Sequence, residues 1–185
     1  MLTGKLVTTD AELDQIAGLS RANLVTQLSA ETKAQEGFVT WVYTPEVLRD
    51  LHGIAPSVIV LDGDVLAGYA LTLTPSSVAV YPTMEPMLER LAFISYKGKA
   101  LSDHKVYLMG QICVAAPYRG QGVVGLLYQF HRDAFSGVFD MLVTEISRAN
   151  PRSLKAHGKA GFKVIDTYWE DGVEWDVVLW DWKDL

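Results

Sequence analysis

"VAAPYRGQGVVGLLY", Val114–Tyr128, decides how the rest of the chain is read. The segment before it, "KVYLMGQICVAA", is almost continuously apolar, as expected of a strand covered on both faces. The segment after it, "LLYQFHRDAF", repeats its apolar residues at helical spacing to about Phe135. Between the two lie Pro117, Arg119, Gly120, Gly122 and Gly125. A buried strand that enters a helix through so bare a turn presents unpaired amides and the positive end of the helix dipole. Its glycines let a ligand come close to the backbone. The pattern therefore predicts a phosphate-binding turn.

Three such turns compete. A nucleoside-triphosphate loop ends in Lys-Ser/Thr for phosphate and metal, whereas this one ends "GVVGLL", which excludes it. Gly120, Gly122 and Gly125 spell the dinucleotide fingerprint GxGxxG, and Glu145 follows about twenty residues on, where a ribose-binding acid belongs. Against that alternative, Pro117–Arg119 separate strand from first glycine. Only about sixty residues follow Gly125, and they end in an antiparallel hairpin that leaves no room for a second parallel half. The third turn holds the diphosphate of coenzyme A, with Arg119 directing a cation at the phosphates and the amides of Gln121–Gly125 wrapping them.

Outward from this turn the chain alternates strands and helices with no repeat or linker, so residues 1–185 read as one domain. "KLVTT" is a strand; Thr9 or Asp10 caps the helix "AELDQIAGLSRANLV". Ser29 and Gly37 bound a second helix, and Thr44-Pro45 opens a third that stops near Gly53. "SVIVLDGDVLAGYALTLT" is a hairpin turning at Asp62-Gly63. "PTMEPMLERLAFIS" reads as a helix, and "VFDMLVTEIS" as a strand parallel to "KVYLMGQICVAA". "PRSLKAHGKAG" is a helix, and the chain closes in a hairpin at Asp171-Gly172.

Composition narrows the function. Apolar residues make up 49% and charged residues 21%, an ordinary globular mix. No apolar run is long enough to span a membrane, and "LTGKLVTTDAELDQ" lacks the form of a signal peptide, so a soluble cytoplasmic protein is expected. A net charge of −6 without a basic run argues against nucleic acid as a partner. The single cysteine, Cys113, builds neither a disulfide framework nor a thiolate metal cluster, and no metal site is expected.

"VAAPYRGQGVVGLLY" resembles the acyl-CoA-binding motif of the GNAT superfamily of N-acetyltransferases, Gln/Arg-x-x-Gly-x-Gly/Ala. Arg119 takes the first position and Gly122 the fourth, with Val124 in place of the small sixth residue. "TEISRANPRSLKAHGKAGF" resembles the strand and helix that follow in that superfamily, with Asn150, Ser153, His157, Gly161 and Phe162 at the recurrent positions. The two motifs cover about Lys105 to Lys163.

The resemblance implies an α/β fold: a mixed, mostly antiparallel sheet, one central parallel strand pair, and helices on both faces. It implies acetyl-CoA as acyl donor and a primary amine, small-molecule or peptide, as acceptor. Backbone at Ile112, Cys113 and Val114 would pair with the pantetheine arm. Arg119, Gly120, Gln121, Gly122, Val123, Val124 and Gly125 would hold the diphosphate, with Asn150 and Ser153 completing the donor site. A dimer is common in similar folds, so a homodimer is compatible with this one.

For the chemistry, His157 stands where a tyrosine often serves as the acid, and imidazole titrates near neutrality. No base is evident. If "KVYLMGQICVAA" alternates strictly, Tyr107, Met109, Gln111, Cys113 and Ala115 share one face; Gln111 and Tyr107 would then position an amine or a water. Glu145 is the nearest acid on the neighbouring strand. Cys113, alone in an apolar strand, reads as core and not as a nucleophile. Phe38, Trp41 and Tyr43 would wall an acceptor pocket, while Trp169, Trp175, Trp180 and Trp182 are expected to pack. A non-catalytic acyl-CoA sensor is the alternative from another class.

Overall fold

The computed structural model describes residues 1–183, with backbone alone for residues 34–36. Its elements in chain order are β1 (Leu2–Leu6), α1 (Asp10–Ala22), α2 (Ala30–Glu36), α3 (Pro45–Ile54), β2 (Val58–Asp62), β3 (Val65–Leu73), α4 (Glu85–Leu91), β4 (Ser95–Tyr96), β5 (Lys99–Ala100), β6 (Val106–Val114), α5 (Val123–Phe135), β7 (Met141–Ser147), α6 (Pro151–Ala160), β8 (Lys163–Glu170) and β9 (Val173–Asp181). The seven-stranded sheet runs β1-β2-β3-β6-β7-β9-β8. Each pairing is antiparallel except β6 with β7. The expected mixed sheet with one central parallel pair is present.

Local chemistry accounts for most helix starts. Thr9 caps α1 through a reciprocal box: its hydroxyl accepts from the Glu12 amide, and the Glu12 carboxylate accepts from the Thr9 amide. Ser29, Thr44 and Asn150 accept from Thr32, Val47 and Ser153 amides to open α2, α3 and α6. α5 is built differently. Its N-cap is Gly122, held at φ 81°, and no side chain caps it. Its first amides therefore face outward without a partner of their own in the helix.

Helices cover both faces. On one, Leu13 and Ile16 of α1, Leu48 and Leu51 of α3 and Leu91 of α4 pack on Tyr69, Leu71, Leu108 and Val143. On the other, Val123, Leu127 and Tyr128 of α5, with Leu154 of α6, pack on Val60, Ala70, Leu142 and Val178. Fully burying an aliphatic or aromatic side chain contributes about 1.5–3 kcal/mol. The two clusters clamp the sheet and leave its central split as the place where packing is incomplete.

Four expectations change. The helix expected over "PTMEPMLERLAFIS" is confined to α4, because Pro82 and Pro86 direct a 3-10 turn before it and the small β4–β5 hairpin follows. α3 continues through Gly53 to Ile54. Strict alternation along β6 fails: Thr72 pairs with Met109 but Ala70 pairs with Ile112, so β6 carries one extra residue at Gly110–Gln111. Before this bulge, Tyr107 and Met109 face the α5 side; after it, Gln111 and Cys113 stand on the α1 side, Gln111 against Ser20 of α1 and Cys113 in that face's core. Finally, the tryptophans divide: Trp180 is buried, Trp182 donates to the Phe139 carbonyl, Trp175 lines a cleft described below, and Trp169 is 68% exposed.

Candidate functional site

β6 and β7 pair over only three residues, Val106 with Met141, Tyr107 with Leu142 and Leu108 with Val143. Beyond that point each keeps its outer neighbour, β3 or β9, and loses the inner one. The bulge at Gly110–Gln111 and the Thr144 hydroxyl mark the parting: Thr144 Oγ1 donates to the Met109 carbonyl at 2.8 Å, taking the bond a ladder amide would have made. At the far end Arg119 Nε donates to the Val114 carbonyl at 3.2 Å. The stretch of β6 between these two contacts presents a strand edge to the gap.

Two connected cavities occupy the gap. The larger, about 380 Å³, runs from Ile112–Val114 past Gly120, Gly122, Val123 and Val124 to α6. The smaller, about 130 Å³, lies on the other side of the parted strands against Gly110, Glu145 and the segment Phe38–Trp41. Phe38, Val39, Ile112, Asn150, Ser153 and His157 line both, so the two meet there.

Of the residues expected to hold a donor, Ile112, Cys113, Val114, Arg119, Gly120, Gly122, Val123, Val124, Asn150 and Ser153 all line the larger groove. Gln121 does not; its side chain folds back on the Pro117 carbonyl at 2.7 Å. Gly125 is not in the lining either, and nothing lies within 4 Å of where its Cβ would stand. Arg119 also anchors the turn: its Nη2 donates to Asn23 Oδ1 at 2.7 Å, and Asn23 in turn caps α1 by donating to Leu19. The groove has further cations that sequence motifs did not single out, Arg152, Lys155 and Lys159, one face of α6 at helical spacing. In a chain of net charge −6 they make this face locally basic.

Asn150 is doubly committed. Its Oδ1 caps α6, and its Nδ2 donates to the Phe38 carbonyl at 3.0 Å, holding the Phe38 segment over the junction of the cavities. Gln111 is likewise spent on structure: its carbonyl accepts from Ser20 and Tyr69 hydroxyls, and its amide donates to the Trp41 carbonyl at 3.0 Å. Burial pushes the Cys113 thiol up to about 12, in keeping with its reading as core. Tyr107, expected at the acceptor pocket, is 0% exposed and lines neither cavity. It packs among Phe135, Phe139 and Trp182, with its hydroxyl on His131 Nδ1 at 3.1 Å. The bulge explains the misplacement, because Tyr107 lies before it and faces the opposite side.

Phe38, Trp41 and Tyr43 all line the smaller cavity, joined by Tyr81, whose ring lies 5.1 Å from that of Tyr43. Glu145 lines it too, and its Oε1 is buried with no hydrogen-bond partner. Burial raises its carboxyl above the ordinary carboxylate range, and this outweighs the hydrogen bond from Tyr168 and the charge of Arg90.

His157 is 2% exposed. Its Nδ1 lies 2.8 Å from the Ser153 carbonyl and must therefore be the protonated nitrogen, which leaves Nε2 with a buried lone pair and no partner. Burial pushes the imidazole down to about 4, so it is neutral at physiological pH, the opposite of the state a proton donor requires. Sequence reasoning missed its neighbour Tyr128. That ring meets His157 edge-on, its hydroxyl is also without a partner, and it lines the larger groove. Its sequence signal was only a polar tip on the buried face of α5.

No family model matches the chain, and no curated protein matches it. Solved structures do. A GNAT-family acetyltransferase from Streptococcus agalactiae superposes with a TM-score of 0.64 at 16% identity, over 97% of this chain and 95% of that one. The ribosomal-protein-S18-alanine N-acetyltransferase of Escherichia coli gives 0.62 at 13%, covering 98% and 94%. The NatC complex bound to Gag peptide and CoA gives 0.65 at 12%, covering 97% and 98%. The chain has the fold of the GNAT N-acetyltransferases.

Proposed function

We propose that the chain is an acetyl-CoA-dependent N-acetyltransferase acting on a primary amine. One observation carries the reading: the groove at the uncapped start of α5 opens, through the parted β6 and β7, into a cleft where one carboxylate oxygen, Glu145 Oε1, is buried without a hydrogen-bond partner. The residues fit coenzyme A. Open amides at Gly122–Val124 and the cations Arg119, Arg152, Lys155 and Lys159 suit its phosphates, and the free edge of β6 between Met109 and Val114 suits the amides of its pantetheine arm.

When bound, acetyl-CoA would supply an activated thioester at the junction of the two cavities. The chain's own groups divide the remaining work. Glu145 Oε1 accepts a proton from the incoming ammonium, its raised pKa bringing it closer to the amine's task than an exposed carboxylate would be. An amide on the parted edge of the bulged β6 strand would be available as a hydrogen-bond donor to the thioester carbonyl. Burial holds the Tyr128 phenol well above its ordinary range, so it keeps its proton and would be available as a hydrogen-bond donor to the sulfur, while His157 Nε2 is left as an acceptor without a partner. Phe38 and Asn150 close the junction against water.

Thermal melting with acetyl-CoA and with NAD tests the donor. Acetyl-CoA raises the melting temperature and NAD does not; the reverse would return the dinucleotide alternative. Thiol release with a panel of amines tests turnover, and donor binding without turnover on any amine would instead mark an acyl-CoA sensor.

A further inference from the structure

The smaller cleft has a composition that selects among amines. Trp41, Tyr43, Tyr81, Met84 and Met87 give it an aromatic and thioether wall beside neutral hydroxyls such as Thr40, Thr83 and Thr144. Glu145 is the one acidic side chain in the lining, and among the described residues neither a lysine nor an arginine lines it. The cation that acts on Glu145 is Arg90, whose guanidinium carbon lies 3.4 Å from the centroid of the Tyr168 ring and which is not in the lining. The polar groups of Gln111 and Asn150 are occupied within the protein. Among the fully buried side-chain atoms at the cleft, two acceptors are without a partner, Glu145 Oε1 and His157 Nε2.

Resting on the acetyltransferase reading, we propose that the acceptor is an apolar monoamine: one ammonium group on a single ring-sized or short hydrocarbon body, with no carboxylate, phosphate or second ammonium. One carboxylate balances one ammonium. An anionic group on the acceptor would be desolvated beside Glu145 with no cation to pair it, and a second ammonium would find no second acid. The volume agrees with this, since about 130 Å³ is close to the ~150 Å³ of an apolar cavity that holds benzene. Tyr43 and Tyr81, hydrogen-bonded to one another, offer an aromatic wall and not a free polar group.

Four probes separate the possibilities: 2-phenylethylamine, phenylalanine, phenylalanine amide and 1,5-diaminopentane, each with the full chain and acetyl-CoA. The expected kcat/KM for 2-phenylethylamine exceeds that for phenylalanine by at least 100-fold and that for the diamine by at least 10-fold. Phenylalanine amide, which lacks the carboxylate, recovers most of the loss. Equal rates for phenylalanine and 2-phenylethylamine, or the diamine as best acceptor, would overturn the proposal while leaving acetyl transfer intact. If no amine turns over, acetyl transfer itself fails, and melting of the CoA-saturated protein decides the cleft: a shift with 2-phenylethylamine and none with phenylalanine upholds the selectivity, and equal shifts refute it.

Discussion

The rings of Tyr128 and His157 meet edge-on with centroids 5.5 Å apart, and each leaves one buried polar atom without a partner at the larger groove. The tautomer of His157 is set by its bond to Ser153 one turn back, so the pair offers one permanent donor, the phenol, and one permanent acceptor, Nε2. Tyr128→Phe removes only the hydroxyl from a fully packed ring. Its kcat is expected to fall about 10²-fold, with acetyl-CoA affinity within twofold of the parent. An unchanged kcat would remove the phenol from the chemistry.

Glu145→Gln keeps the shape of the side chain and abolishes its charge. Its kcat/KM is expected to drop by about 10²–10³, with donor binding unaltered. In the parent protein the rate should decline as pH falls through a carboxyl titrating above the usual carboxylate range, because protonation would remove the proposed base; the variant should lack that limb. An identical acid limb in both proteins would assign it to another group.

Much of this arrangement was legible in residue order, and what was not has identifiable physical causes. The glycine turn, the caps at Thr9, Ser29 and Thr44 and the hairpin at Asp62-Gly63 depend on local chemistry, and each stands where expected. The bulge at Gly110–Gln111 depends on how β3 and β6 pair across a long sequence separation, and that register moved Tyr107 out of the pocket and turned Gln111 toward α1. His157 occupied a recognisable position, yet its protonation state comes from burial under Phe162 and Tyr128, which spacing does not encode. Lys155 and Lys159 carried no motif signal; their place follows from the packing of α6 beside the groove, a long-range relationship.

That face yields a direct test. Lys155→Ala with Lys159→Ala should weaken coenzyme A binding about three- to tenfold, because exposed ion pairs contribute roughly 0.2–1 kcal/mol each. Raising the salt should reduce the difference between variant and parent. Calorimetric titration of both proteins at two ionic strengths measures it, and equal affinities at low salt would place the phosphates elsewhere.

Gly110 sits on the bulge at the floor of the smaller cleft, where an added Cβ would come 2.7 Å from Leu73 Cδ1 and 2.8 Å from the Tyr43 hydroxyl. Gly110→Ala therefore displaces the aromatic wall. A loss of about 1–3 kcal/mol in stability is expected from overpacking, together with a raised KM for the amine and an unchanged Kd for the donor. A variant with parental stability and amine KM would show that the wall yields freely.

Acid lability follows from two histidines buried in the neutral state. His131 donates through Nε2 to the Ala70 carbonyl and accepts from Tyr107, and burial pushes it down to about 4, as it does His157. Both folded values lie below the ordinary 6.5, so the stability they confer is complete above that pH and is lost as pH falls toward 4. At 1.36 kcal/mol per pKa unit each histidine accounts for about 3 kcal/mol, or on the order of 10 °C in melting temperature. His131→Gln can keep both hydrogen bonds without titrating. Its melting temperature should be flatter than the parent's between pH 6.5 and about 4, and equal slopes would mean that other groups drive the transition.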